Sequence, residues 1–346
     1  MKALVLVEYN RFELQDVPVP PIADDELLIA VRACSICGSD VHGVDGSTGR
    51  RQPPIIMGHE AAGVVADCGA AIDDLNVGDA VAFDSMLPCG RCWFCVRGRP
   101  NLCDSRKVLG VACDEFRCQG AFAEFVAVPR RIAYRMPAGL SFERAALAEP
   151  VSVGLHALGR TAPRLGDSAV VIGAGTIGQV MVQVLRRAGC LPVIAVDPDE
   201  HRRRLAVSLG ATAASAPESP ELRKTVDFAT AGRGVDVAVD AVGLSATVEL
   251  AVNLVRKGGT VALIGNLAPQ TPLALQRVVT REITLLGCCA SATEYPDALR
   301  LIAEGGIEVA PLISAVAPLH EAPKWFERLR SGDQGLLKVV IKPDLS

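Results

Sequence analysis

The run Ala169-Val170-Val171-Ile172-Gly173-Ala174-Gly175-Thr176-Ile177-Gly178 decides how the central part of this chain folds. Four consecutive apolar residues read as a buried strand, and the Gly-x-Gly-x-x-Gly run behind them opens a helical stretch over 177–188. In such a unit Gly173 permits the tight turn, Gly175 lets a phosphate approach the backbone, and Gly178 lets the helix pack against the sheet. Thr176 and Ile177 open the helix, whose unpaired N–H groups and dipole favour a pyrophosphate. A glycine-rich turn can also be purely structural. Here the strand before it, the helix after it and Asp197 at the end of the next strand, 193–196, supply the context of a dinucleotide site. Asp197 would accept hydrogen bonds from ribose hydroxyls and repel a 2′-phosphate, which favours NAD over NADP. Arg202, Arg203 and Arg204 follow closely enough that one of them would neutralise a 2′-phosphate, or they face solvent on a helix over 202–209.

Outward from this unit, 235–239, 261–264 and 284–286 read as further strands, with 213–220 as a loose loop. Buried strands linked by crossover helices imply a doubly wound, mostly parallel sheet covered on both faces. Asp240 and Ile264-Gly265 fall at strand ends, near the adenine or nicotinamide edge or in structural turns. Upstream of Glu149-Pro150 the pattern differs. Short runs at 4–7, 27–31, 61–65, 80–83 and 122–128, separated by Pro, Gly, Asp and Asn, predict a β-rich domain with long loops. The final segment predicts a helix at 295–303, a short strand at 312–313, a helix at 320–330 and a strand at 337–341. Propensity does not say which domain receives it.

At 346 residues the chain exceeds the usual size of one domain, so two are expected. Half the residues are apolar and a fifth are charged, the profile of a globular enzyme and not of a disordered chain. A net charge of -4, with only the short Arg203-Arg204 cluster, argues against a nucleic-acid partner. The opening apolar run is broken by Glu8, and no later segment reads as a membrane span, so a cytoplasmic protein without a membrane partner is expected.

Of twelve cysteines, Cys89, Cys92, Cys95 and Cys103 lie within fifteen residues. Soft sulfur ligands suit tetrahedral zinc, and four protein ligands leave no position for substrate, so this cluster reads as a structural site. An iron centre or reduced, unliganded thiols are the alternatives. A second constellation is dispersed: Cys37, His59 with Glu60, and Glu149. One thiolate, one imidazole and one carboxylate leave room on zinc for a water or a substrate oxygen, as catalysis requires. A small buried cysteine and a surface His-Glu pair would explain the same residues individually.

Cys37-Gly38-Ser39-Asp40, Gly58-His59-Glu60, the four-cysteine lobe, Glu149-Pro150 and Gly173–Gly178, in this order, resemble the zinc-containing medium-chain alcohol dehydrogenases over nearly the full length. The resemblance is to the sorbitol, galactitol-phosphate and threonine dehydrogenase branch. It implies an α/β chain in which a Rossmann domain, 151–289, is inserted in a β-rich, GroES-like catalytic domain formed by 1–150 and 290–346. It implies a catalytic zinc held by Cys37 and His59, with an acidic ligand or water bridge from Glu149, where other branches have a cysteine, and with Glu60 as an exchanging neighbour. Dimers or tetramers are implied too.

The activity implied is hydride transfer from a secondary alcohol, of the polyol or sugar-alcohol class, to NAD, giving a ketone. Ser39 would pass the hydroxyl proton outward and, by resemblance, His42 would be the next relay member. Asp40 looks like the carboxylate that orients His59. His156 reads as a packed helix histidine, His201 and His320 as helix-surface residues, and Cys288-Cys289 as packing residues. Arg50, Arg51 and Arg117 are loop arginines that would meet a phosphate or face solvent. Polyol-phosphate and L-threonine dehydrogenases are the nearest alternatives. A zinc-free quinone reductase-like enzyme leaves Cys37, His59, Glu149 and the four-cysteine lobe unexplained, and a non-enzymatic NAD- or zinc-responsive binding protein would require a zinc-bound water closed to substrate, for which no sequence feature speaks.

Overall fold

The computed structural model describes residues 1–343, so the last three positions of the expected 290–346 segment lie outside the described residues. The chain divides into two compact units. Over the described residues, one comprises 1–149, 295–305 and 312–343, and the other 150–294 and 306–311. Residues 290–294 and 306–311, expected with the β-rich part, therefore pack with the nucleotide-type unit. The boundary near residue 150 falls inside one continuous helix, Ala148–Thr161. Among the described residues no helix is long and apolar enough to cross a membrane.

The first unit is built on a seven-stranded sheet. Its order runs Ala133–Arg135, Ala80–Phe83, Glu60–Cys68, Glu26–Ser35, Lys338–Lys342 and Ile313–Pro318, and Phe125–Pro129 also pairs with Glu26–Ser35. All pairings are antiparallel except that of Ile313–Pro318 with Lys338–Lys342. Alternation along Glu26–Ser35 turns Leu27, Ile29 and Val31 into a core that also holds Leu4, Leu6, Phe83, Phe122, Val339 and Ile341. Register then sets the chemistry. Ser35 stands opposite Glu60, and Val340 opposite Ser35, so three distant segments meet at one end of the sheet.

The second unit is a six-stranded parallel sheet ordered Ala213–Ser215, Val193–Val196, Ala169–Ile172, Val235–Asp240, Val255–Leu263 and Thr284–Gly287. The segment expected as a loop at 213–220 forms the edge strand Ala213–Ser215 and leads into the helix Pro220–Thr230. The Ser219 side chain caps that helix by accepting from the Glu221 N–H, and Pro220 sits in its first turn. Val255–Leu263 is a longer strand than the 261–264 run suggested, and a further helix, Ser245–Leu254, precedes it.

Candidate metal centres and nucleotide-binding loop

The loop between Ala169–Ile172 and the helix Thr176–Arg187 needs two of its glycines for the protein's own sake. Gly173 has φ +87°, and a Cβ there would fall 2.4 Å from Val242 Cγ2; a Cβ on Gly178 would fall 1.8 Å from the Gly173 carbonyl oxygen. Gly175 differs. A Cβ there would meet nothing within 4 Å, and as N-cap it supplies no side-chain bond to the helix start. Open space in front of uncapped N–H groups is what an anionic group would fill. Asp197 is buried and braces this loop: Oδ2 accepts from the Ala174 N–H at 2.7 Å and Oδ1 from the Asp199 N–H at 2.9 Å.

Among the neighbouring arginines, Arg202 lies in the first turn of Glu200–Ser208, its N–H donating to Asp199 Oδ1. Arg203 bends back to the carbonyls of Asp197 and Pro198, at 2.8 and 2.7 Å, and Arg204 pairs with Glu200 at the surface. Ile264 follows the strand Val255–Leu263, and its N–H donates to the Asp240 carbonyl. Asp240 itself is buried, accepting from the Val242 and Gly243 N–H groups, which gives it a turn-forming role. His156 bonds Glu294 through Nδ1 at 2.8 Å, while His201 and His320 are exposed on the surface.

Cys89, Cys92, Cys95 and Cys103 bring their sulfur atoms within 4.8 Å of one another. Two short 3-10 turns, Cys95–Arg97 and Pro100–Leu102, wrap the cluster. Backbone N–H groups point at the sulfurs: Cys89 to Cys103 Sγ at 3.2 Å, Cys92 to Cys89 Sγ at 3.3 Å, and Ser105 to Cys103 Sγ at 3.4 Å. The N–H groups of Cys95 and Asp104 bring the Cys92 thiol down to about 6, whereas burial and the adjoining thiols push Cys95 up to about 12. Four converging soft donors, with backbone N–H groups favouring the thiolate at Cys89 and Cys92, fit a tetrahedral zinc closed to substrate.

The second cluster assembles at the end of the sheet where Ser35 stands opposite Glu60. Cys37 is the N-cap of the one-turn helix Gly38–Val41, and His59 immediately precedes the strand Glu60–Cys68. Gly58, at φ +93°, makes that entry possible, since a Cβ would fall 2.8 Å from Cys34 Sγ. Ligand atoms of Cys37, His59 and Glu60 lie within 4.8 Å of one another. Ser39 Oγ is 3.3 Å from Cys37 Sγ and 3.5 Å from His59 Nε2, so one hydroxyl touches two candidate ligands. His42 is exposed at the C-cap of the same turn. Glu149 stands outside the three-residue set and accepts from Ser85 Oγ at 3.3 Å; burial and the nearby Glu60 charge push its carboxyl up to about 7.

Two buried cations hold a carboxylate within this cluster, Glu60, and one behind it, Asp40. Lys338, 2 % exposed, donates to Glu60 Oε1 at 2.6 Å and to the Ile36 carbonyl at 3.1 Å, while Ser35 Oγ donates to Glu60 Oε2. Arg51, 4 % exposed, donates through Nε and Nη2 to Asp40 Oδ1 at 3.2 and 2.9 Å. Asp40 in turn faces His59 Nδ1 at 3.4 Å, an electrostatic contact longer than a well-formed hydrogen bond. Burial works against ionisation of Asp40, but His59 and Arg51 outweigh it and hold the carboxyl below its ordinary range. Neither Arg51 nor Lys338 was singled out for this site by the sequence motifs. Lys338 does leave a trace there, as a charged residue in the otherwise apolar run 337–341. The mixed sulfur, nitrogen and oxygen donor set, less closed than the four-cysteine lobe, fits a zinc with a position for a further ligand.

Comparison with known proteins places this geometry in a family. The model of the alcohol dehydrogenase GroES-like domain matches residues 23–138, and that of the zinc-binding dehydrogenases matches 176–304. Sorbitol dehydrogenase from Bacillus subtilis (strain 168) is 33% identical over 348 residues, covering 99% of this chain and 98% of its own. L-threonine 3-dehydrogenase from the same strain is 33% identical over 338 residues, covering 95% and 94%. Among solved structures, a short chain alcohol dehydrogenase from Escherichia coli CFT073 complexed with NADH has a TM-score of 0.90 at 26% identity, with 99% of each chain covered. The GroES-like and Rossmann-type folds, the two cysteine-bearing clusters and these full-length similarities together make the chain a zinc-type medium-chain alcohol dehydrogenase, an oxidoreductase related to the sorbitol and threonine dehydrogenases.

Proposed function

We propose that this enzyme oxidises a secondary alcohol of the polyol class to a ketone with NAD as hydride acceptor, using a zinc ion held by Cys37, His59 and an acidic neighbour, Glu60 or Glu149. The observation that carries the proposal is the convergence of Cys37, His59 and Glu60 beside the Ser39 hydroxyl, separate from the closed four-cysteine lobe. Zinc in such a site supplies Lewis acidity toward a hydroxyl oxygen, and a nicotinamide supplies the hydride acceptor. Ser39 Oγ is the group of this chain placed to take the substrate hydroxyl proton, and exposed His42 is its outward acceptor. Asp40 faces His59 Nδ1 and leaves Nε2 on the Ser39 side. The balance is one hydride to the nicotinamide and one proton to solvent.

Asp197 supports NAD over NADP. It is fixed at the end of Val193–Val196 by two backbone N–H groups, and the arginine that turns back toward it, Arg203, donates to carbonyl oxygens. The fate of the loop arginines supports a free polyol over a polyol phosphate. Arg51 is buried against Asp40, while Arg50 and Arg117 are both exposed, the Arg117 guanidinium being taken up by the carbonyls of Gln52 and Pro54. The relatives give equal weight to a sugar alcohol and to threonine, since both stand at 33% identity.

The test is reduced-nicotinamide absorbance over four- to six-carbon polyols, their phosphates, simple secondary alcohols and L-threonine, each with NAD and NADP and with a chelator-treated control. Chelator-sensitive turnover of one polyol stereochemical series with NAD is the expected result. Turnover of threonine alone, or turnover that survives removal of all zinc, would overturn the reading.

A further inference from the structure

We infer that Arg51 is a positioning residue for the Cys37–His59 metal site, acting through Asp40. The inference rests on the metal site proposed above and deepens it. Asp40 is wholly buried and holds both candidate ligand segments at once. Its Oδ2 accepts from the Cys37 backbone N–H at 3.4 Å, and its Oδ1 faces His59 Nδ1 at 3.4 Å. A carboxylate in that place serves two ligands only if its own charge is compensated and its plane is fixed. Arg51 supplies the opposite charge and pins Oδ1, which Nε and Nη2 both reach from one rigid guanidinium, while the Cys37 N–H holds Oδ2; Nη2 also lies 3.4 Å from Ser39 Oγ. A single side chain thus touches the carboxylate behind both ligands and the hydroxyl in front of them.

Two observations separate this role from that of a loop fastener. The backbone around Arg51 is already tied without its side chain: the Gln52 N–H donates to the Ala112 carbonyl at 3.0 Å, and the Ala112 N–H to the Arg50 carbonyl at 3.2 Å. The path of the side chain has also been cleared. Gly43 has no positive φ, yet a Cβ there would fall 2.6 Å from Arg51 Cγ, the tightest approach, and 3.0 Å from the Ser39 carbonyl oxygen. What Gly43 provides is space for the arginine stem on its way to Asp40.

The experiment is zinc release from the purified holoenzyme into a competing chromophoric chelator, for wild type, Arg51→Met, Arg51→Lys, Asp40→Asn and the Asp40→Asn/Arg51→Met double variant. Cys37→Ser and Cys95→Ser identify which release phase belongs to which site. Arg51→Met is expected to weaken the Cys37-dependent zinc about 10- to 100-fold and leave the other unchanged, the range typical of partners that orient metal ligands. Arg51→Lys, which keeps the charge but not the planar fork, should fall between. In the Asp40→Asn background, Arg51→Met should add no further weakening. A folded Arg51→Met or Arg51→Lys protein with wild-type affinity at the Cys37-dependent site overturns the inference, as does an equal Arg51→Met effect with and without Asp40. If Arg51→Met does not fold, the lysine variant decides. A wild-type enzyme whose only zinc depends on Cys95 would bring down the metal reading itself, and this inference with it.

Discussion

The two sulfur-bearing clusters of this enzyme are built on opposite plans. Cys89 and Cys103, the outer members of the first, are separated by 14 residues, and the sulfurs take their hydrogen bonds from N–H groups of the same lobe. The second draws on Cys37, His59 and Glu60, and its buried acids are compensated by two cations, Arg51 for Asp40 from eleven residues along the same connection and Lys338 for Glu60 from 278 residues away. A closed site needs only its own loop. An open site, which must keep charged groups buried beside a position for substrate, needs the surrounding sheet to balance them.

That contrast is most sharply broken or upheld at the ligands themselves. Cys37→Ser should lower alcohol turnover by about a thousandfold or more, several kcal/mol in the barrier, with NAD binding by fluorescence titration unchanged. Normal turnover would dissolve the distinction between the clusters. Lys338→Met should cost about 3–5 kcal/mol of stability, because it leaves the Glu60 carboxylate buried without its cation. Denaturant unfolding measures this, and Lys338→Met/Glu60→Gln should recover most of the loss; no recovery would mean that Lys338 acts by packing alone. Cys95→Ser should remove one zinc per chain and about 3 kcal/mol of stability while the turnover of the surviving folded enzyme stays near normal. Unchanged metal content and melting temperature would argue against a structural metal in the lobe. The smallest effect belongs to the lobe's surface, where the Arg97 guanidinium lies 4.2 Å over the exposed Trp93 ring. Arg97→Ala should shift stability by only about 0.5 kcal/mol.

The same contrast explains what was legible in the sequence. The four-cysteine spacing and the glycine-rich loop are local patterns, so the residues that meet in space are already neighbours in the chain, and Asp197 lies at the end of the very next strand. The dispersed cluster was legible through the resemblance of its motifs, and the structure draws Cys37, His59 and Glu60 together with Glu149 farther out. Arg51 reads as a loop arginine because nothing near it announces a buried carboxylate; its partner, Asp40, is eleven residues away and its space is cleared by Gly43. The strand Ala213–Ser215 was missed because Ala and Ser carry no β-pattern. Its pairing with Val193–Val196 comes from the sheet and not from its own side chains.

The separation of Glu60 from Lys338 by 278 residues imposes an order on biosynthesis. A ribosome delivers the acid early and its counter-ion only after the whole nucleotide-binding sheet has been made. The late strand, Lys338–Lys342, is moreover an interior one, lying between Glu26–Ser35 and Ile313–Pro318. A nascent chain therefore carries the Cys34–Ser35 end of Glu26–Ser35 without its second neighbour, and Glu60 without its cation, while the second unit is already complete enough to fold. The nucleotide-type unit is in this sense a passenger threaded into an unfinished sheet, and the strand carrying Lys338 is the stitch that closes it.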